Sequence, residues 1–249
     1  MFSPNNVFWI SSSNTSRHAY MKSQFQKYNI ENTHVEALST NSSNLTILDS
    51  FPPLRDNRAG CLASHLKAVN LSIEYMRKNH RNYTIIMEDD VYIEEGLKIH
   101  RVSIDTLISK LPIDWEILQL GYHSYRSAWS RLQLQWNMSR SLFMQKQMFP
   151  AWATFAFALS LSGARRMHRN YRIYGDRIEV TRKCSFDADA CIMSGQIVQK
   201  WKNYIATPPY FWEPTTITST KFHSTLGSNS YLHAYSSKIS ARWANNYKN

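Results

Sequence analysis

Three consecutive carboxylates, Glu88-Asp89-Asp90, close the apolar run Tyr83-Thr84-Ile85-Ile86-Met87. An unbroken run of β-branched and apolar residues reads as an interior strand. The acids then stand at its C-terminal mouth, the edge of an open α/β sheet where ligands bind. Side chains alternate along a strand, so Glu88 and Asp90 share one side if the strand continues, with Asp89 opposite. Two carboxylates on one side, with phosphate oxygens nearby, suit Mg²⁺ or Mn²⁺. A solvated turn after a strand would carry the same triplet, so the neighbouring segments have to decide.

Two other groupings draw the eye. Ser64 and His65 look like a nucleophile and its base. They are adjacent on a predicted helix, however, so their side chains diverge by about 100° and cannot pair. His65 is better suited to facing a ligand or packing beneath the acidic strand. The segment Phe186-Asp187-Ala188-Asp189-Ala190-Cys191-Ile192 offers two isolated acids, either of which could also cap the following helix. The three cysteines, Cys61, Cys184 and Cys191, cannot all pair and show no C-x-x-C spacing. That argues against a disulfide framework and a thiolate zinc module, and Cys61 reads as a small buried residue.

These residues need a scaffold, and the chain supplies alternating strands and helices. Val7-Phe8-Trp9-Ile10 reads as a buried strand, after which Thr15 or Ser16 caps a helix to about Tyr28. Residues 39–57 are rich in Ser, Thr and Asn and read as a loop with one short apolar element at Leu45–Leu48. Leu62, Leu66, Val69, Ile73 and Met76 repeat at spacings of 4, 3, 4 and 3, one face of a helix. A helix is expected near 95–110, a strand over Trp115–Gly121, a strand over Thr154–Leu161, a helix from Ser162 to about Tyr171, and another from Asp189 to Tyr204. Strands alternating with helices predict an α/β domain with a central sheet. Residues 122–150 contain no acid but carry Arg126, Arg131, Arg140, Lys146, Trp129 and Trp136. They read as an elaborated connection over one end of that sheet.

Composition bounds the rest. The chain has 249 residues, 43% hydrophobic and 19% charged, enough for a packed core and against wholesale disorder. The net charge of +11 favours anionic partners without choosing among nucleic acid, an acidic lipid surface and phosphorylated small molecules. No apolar stretch is long enough to span a bilayer, and the N-terminus lacks the pattern of a secretory signal, so a cytoplasmic location is expected.

Five segments then fall in a telling order. They are Gly60-Cys61-Leu62-Ala63-Ser64-His65 at a helix start, the strand ending Glu88-Asp89-Asp90, Asp114-Trp115-Glu116-Ile117-Leu118-Gln119-Leu120-Gly121, Ser160-Leu161-Ser162-Gly163-Ala164, and the isolated acid at 187 or 189. Together they resemble glycosyltransferase family 25, the group of the lipopolysaccharide and collagen galactosyltransferases, over about residues 7–220. The first strand departs from the family pattern: Ser11-Ser12-Ser13 follows Ile10, and Arg17 takes the place of the family's arginine one residue early.

The resemblance implies an α/β, GT-A-like nucleotide-sugar-binding fold with a mixed central sheet flanked by helices, in a single glycosyltransferase domain over residues 1–249. It implies a metal-dependent, inverting hexosyltransferase that moves galactose or glucose from a UDP-sugar to a glycan, lipid-linked or protein-linked acceptor. Mn²⁺ or Mg²⁺ would be held by Glu88 and Asp90, with His223 as a C-terminal ligand and His233 behind it. Arg17, Ser64, His65 and Asp89 would face the donor. An inverting enzyme needs one base for the acceptor hydroxyl. The family's base is followed at the third position by an aliphatic residue, which favours Asp189 (with Ile192) over Asp187 (with Ala190). Residues 122–150 would form the acceptor side, a peripheral membrane contact is allowed, and nucleic acid is not an expected partner. Two other readings exist. A metal-dependent phosphodiesterase or nuclease would need carboxylates from several strands. A basic nucleic-acid-binding domain would find the acidic triplet opposing phosphate.

Overall fold

A computed structural model describes residues 6–13, 15–39, 45–47, 58–94, 97, 102–124, 130–132, 134, 138, 143–146, 151–174, 177–180, 188–193, 201–207 and 209–211. Strand β1 (Val7–Ser11) leads into helix α1 (Ser16–Lys27), where the Thr15 side chain accepts the His18 amide at 3.0 Å as the expected N-cap. Strands β2 (Asn32–Glu36) and β3 (Leu45–Ile47) follow, then the long helix α2 (Arg58–Lys78) and strand β4 (Tyr83–Glu88). The predicted apolar face of α2 is buried throughout: Leu62, Leu66, Val69, Ile73 and Met76 all lie in the core.

Downstream come α3 (Ile104–Ile108), β5 (Ile117–Ser124), β6 (Phe143–Lys146), β7 (Ala151–Ser160) and α4 (Leu161–Asn170). The described part of the chain ends with β8 (Arg172–Tyr174), β9 (Arg177–Val180), a π-helical turn over Asp189–Met193 and β10 (Asn203–Thr207). Two expectations need correcting here. The helix near 95–110 is, in its described part, mainly the five-residue α3, capped by Ser103. The helix expected from Asp189 to Tyr204 is, in its described part, the π turn over Asp189–Met193, and it does not reach Tyr204, because Asn203–Thr207 is a strand. Ile205 and its neighbours satisfy their backbone by pairing with β5 and β6, a long-range choice that overrides local helical pattern.

The main sheet has seven strands in the order β2-β1-β4-β7-β5-β10-β6. β1 is parallel to β2 and β4, β10 is parallel to β5, β7 runs antiparallel to both β4 and β5, and β6 runs antiparallel to β10. The architecture is therefore α/β with a mixed sheet, as expected. A three-stranded sheet, β3-β9-β8, lies beside α2. Each face of the main sheet carries its own core. One packs Leu62, Leu66, Ile86 and Phe157 beneath α2 and α4; the other gathers Trp9, Phe25, Met87 and Leu118 with α1. Gly163 lets α4 approach the sheet, because a Cβ there would strike the Glu116 carbonyl oxygen.

Because β4 and β5 are both antiparallel to β7, they point the same way and end at the same sheet edge. They are not neighbours, as a simple parallel sheet would have made them; β7 lies between. That edge gathers the acidic motif.

Candidate active site

Strand β4 stops at Glu88, and a turn carries Asp89 and Asp90. The strand does not continue, so its alternation no longer governs Asp90. Glu88 extends to the α2 side, whereas Asp89 and Asp90 both turn to Arg17 of α1. Arg17 Nη2 donates to Asp89 Oδ1 and, at 3.1 Å, to Asp90 Oδ2. Arg17 thus meets the acidic motif. Burial works against the Arg17 charge, but Asp90 and Asp89 outweigh it and raise its pKa. The Asp89 carboxyl is pushed up by burial despite the pull of Arg17, and Glu88 adds to the push.

On the other side, Glu88 Oε1 accepts the Thr154 hydroxyl at 2.8 Å and lies 3.4 Å from His65 Nε2. Thr154 Oγ1 also lies 3.2 Å from Asp189 Oδ1. Glu88 and Asp189, far apart in sequence, therefore meet at one hydroxyl. Thr154 has one hydroxyl proton. That proton lies between the two carboxylates, with Glu88 the nearer acceptor.

His65 is fully buried under this group and lies roughly parallel to the Phe157 ring, with centroids 6.2 Å apart. Its Nδ1 sits 3.0 Å from the Cys61 carbonyl oxygen, and its Nε2 faces both Glu88 Oε1 and the Thr154 carbonyl oxygen, 3.4 Å away. Oxygens that only accept surround both ring nitrogens, and a neutral imidazole can donate from only one. Burial opposes the ring's charge, but its contacts with Cys61 and Glu88 raise its pKa well above 6.5. The imidazolium form satisfies all of these acceptors.

Cys61, His65 and Glu88 each offer a ligand atom within 4.8 Å of the others. They nevertheless make a poor metal cage. Ligation needs a thiolate and an imidazole lone pair. Burial pushes the Cys61 thiol up, and both ring nitrogens of His65 face acceptors. The cluster is better described as a hydrogen-bonded support for Glu88.

Hard carboxylate oxygens at the mouth of β4 remain the chemistry a Mg²⁺ or Mn²⁺ ion would use. Glu88 and Asp189 bring two such oxygens to one corner, whereas Asp90 is turned to Arg17.

Ser64 does not reach this edge. Its hydroxyl donates to the Gly60 carbonyl at 2.7 Å and accepts the Leu38 amide at 2.8 Å, tying α2 to the chain after β2. Asp187, His223, His233, Trp129 and Trp136 lie outside the described residues. Within 122–150, Arg131, Leu134 and Met138 are exposed and Leu132 is buried. Phe143–Lys146, within the expected elaborated connection, form strand β6 at the edge of the described sheet. Thr154 was missed at the sequence level. Its signal is plain in hindsight: it is the one polar residue in the run Ala151-Trp152-Ala153-Thr154-Phe155-Ala156-Phe157-Ala158-Leu159.

Residues 5–173 match the family model for glycosyltransferase family 25, described as an LPS biosynthesis protein. No curated protein matches the chain significantly. Among solved structures the chain is similar to A197 from STIV, with 13% identity over 81% of each chain and a TM-score of 0.42. It is also similar to a glycosyltransferase involved in the glycosylation of the major capsid of PBCV-1, with 11% identity over 66% of each chain and a TM-score of 0.36. Neither score reaches 0.5, so neither likeness decides the fold. No helix among the described residues is long and apolar enough to cross a membrane.

Proposed function

Because the chain belongs to glycosyltransferase family 25, we propose that it transfers a hexose from a UDP-sugar, in a metal-dependent and inverting reaction, within a GT-A-like domain spanning the chain. One observation carries this reading beyond the family: Glu88 of the acidic motif and Asp189 converge on the Thr154 hydroxyl. A candidate metal ligand and a candidate base thus share one corner of the sheet edge.

The roles follow from the chemistry. As the glycosidic bond breaks, negative charge grows on the β-phosphate of the departing nucleotide. A divalent ion held by Glu88 and Asp90 would stabilise that charge as a Lewis acid. Arg17 holds Asp89 and Asp90 together against their mutual repulsion and keeps a fixed positive charge beside the donor phosphates. His65, in its imidazolium form, fixes the orientation of Glu88 from below. Asp189 accepts the proton of the acceptor hydroxyl as that oxygen attacks the anomeric carbon from the side opposite the leaving group, which inverts the centre. Residues 122–150, the first three of which close β5 at this same edge, would with their basic residues bind the acceptor, a glycan or a lipid- or protein-linked sugar.

Mn²⁺-dependent release of UDP from UDP-galactose or UDP-glucose tests the assignment. Asp90→Ala should abolish it with the fold intact. Asp189→Asn should lower the rate by about 10²-fold or more while UDP binding persists. Full wild-type activity in EDTA would exclude the metal role, and full activity of Asp189→Asn would exclude the base.

A further inference from the structure

Thr154 reaches Glu88 and Asp189 only because β7 breaks its own alternation. Phe157 and Leu159 face the α2 core, while Ala156 and Ala158 face the opposite core. Continuing that alternation would send Phe155 to the α2 side and Thr154 to the other. Instead Phe155 joins Ala156 on the opposite side, and Thr154 arrives on the α2 side with Glu88. The pairing of β5 with β7 slips on both sides of Gly121, and four steps along β7, from Ala156 back to Trp152, span only two steps of β5, from Gly121 to His123.

The irregularity is built from specific residues. Ala153 has φ 82°, a backbone conformation that strains any residue with a Cβ. The displaced Phe155 ring occupies the space a side chain at Gly121 would need, so the glycine of the Trp115–Gly121 segment makes room for it. Gln119 Nε2 donates to the Ala153 carbonyl at 3.3 Å, and His65 Nε2 approaches the Thr154 carbonyl at 3.4 Å. Bulges re-aim side chains in this way, and strained residues persist where the surroundings over-determine them.

We propose that the bulge at Ala153–Phe155 makes Thr154 a positioning residue for glycosyl transfer, its hydroxyl holding the Glu88 and Asp189 carboxylates in their working arrangement. This rests on the transferase reading above. Thr154 touches neither nucleotide nor sugar in this role; it acts through the two acids it joins.

The test separates the hydroxyl from the methyl group. Thr154→Val keeps the shape and removes the hydroxyl; Thr154→Ser keeps the hydroxyl and removes the methyl. UDP release from UDP-galactose with Mn²⁺, together with melting of each variant, provides the readouts. Thr154→Val is expected to lose about 10–100-fold in kcat with little change in donor KM, while Thr154→Ser stays within a few-fold of wild type. A packing role predicts the reverse, with Val active and Ser impaired in step with its melting temperature, and that outcome would overturn the proposal. Adding Thr154→Val to Asp189→Asn should cost little more than Asp189→Asn alone, because the two act as a unit. If Asp189→Asn is fully active while Thr154→Val is not, the base assignment falls and Thr154 acts through Glu88. If Asp189→Asn is inactive and Thr154→Val is not, the base stands and the positioning role falls.

Discussion

Replacing Arg17 with alanine removes the cation that joins two carboxylates. Asp89 and Asp90 keep side-chain exposures of 11% and 12%, so water can do little to replace it, whereas Arg17 itself is 30% exposed. Breaking a fully buried pair costs about 3–5 kcal/mol. Solvent screening at the Arg17 end reduces this, and about 2 kcal/mol is expected at neutral pH. For a chain of this size that is a fall in melting temperature of about 4–8 °C. The pH dependence carries a sign. Burial already pushes the Asp89 carboxyl up, and Arg17 is what holds it down. Without Arg17 its folded-state pKa climbs further above the unfolded value. The folded variant then binds more protons than the unfolded chain across that window, so its stability falls as pH rises through it. The deficit relative to wild type should therefore be greatest near neutrality and shrink as pH drops through the raised Asp89 pKa. Adding Asp89→Asn should recover part of the loss. Thermal melts in EDTA at about pH 7.5 and about pH 5 measure both effects. An unchanged melting temperature, a deficit equal at both pH values, or a double variant equal to the sum of its parts would refute the ion-pair account.

Ser160→Ala removes the cap that accepts the Gly163 amide at 3.1 Å and donates to the Trp115 carbonyl at 2.8 Å; urea titration should report a loss of about 1–2 kcal/mol. Gly163→Ala forces α4 away from the Glu116 carbonyl, and the same titration should show about 1–3 kcal/mol of destabilisation. His65→Gln tests the buried imidazolium. The stability from a raised His pKa is complete below about 6.5 and is lost as pH rises through the folded value. The stability gap between wild type and the variant should therefore narrow in alkaline solution, and a gap independent of pH would show that His65 is neutral in the fold.

Much was legible in the residues themselves. The period of Leu62 to Met76 dictated α2, because an apolar stripe must be buried. The apolar run before Glu88 dictated an interior strand with acids at its mouth, and the spaced motifs dictated the family. What the sequence could not decide were relations between segments. Whether Asp90 shares a side with Glu88 depends on where β4 ends, and the chain turns one residue after Glu88. Asn203–Thr207 became a strand only because β5 and β6 were there to take its hydrogen bonds. Ser64 and His65 are neighbours on α2, but the packing of that helix sends one to Leu38 and the other to Glu88. Thr154 is the clearest case. Local alternation places it on the wrong face, and only the pairing of β7 between β4 and β5, with its strained Ala153, turns it to Glu88 and Asp189. Periodicity is a property of one segment and can be read from it; register is a property of two, and it is fixed only when the sheet assembles.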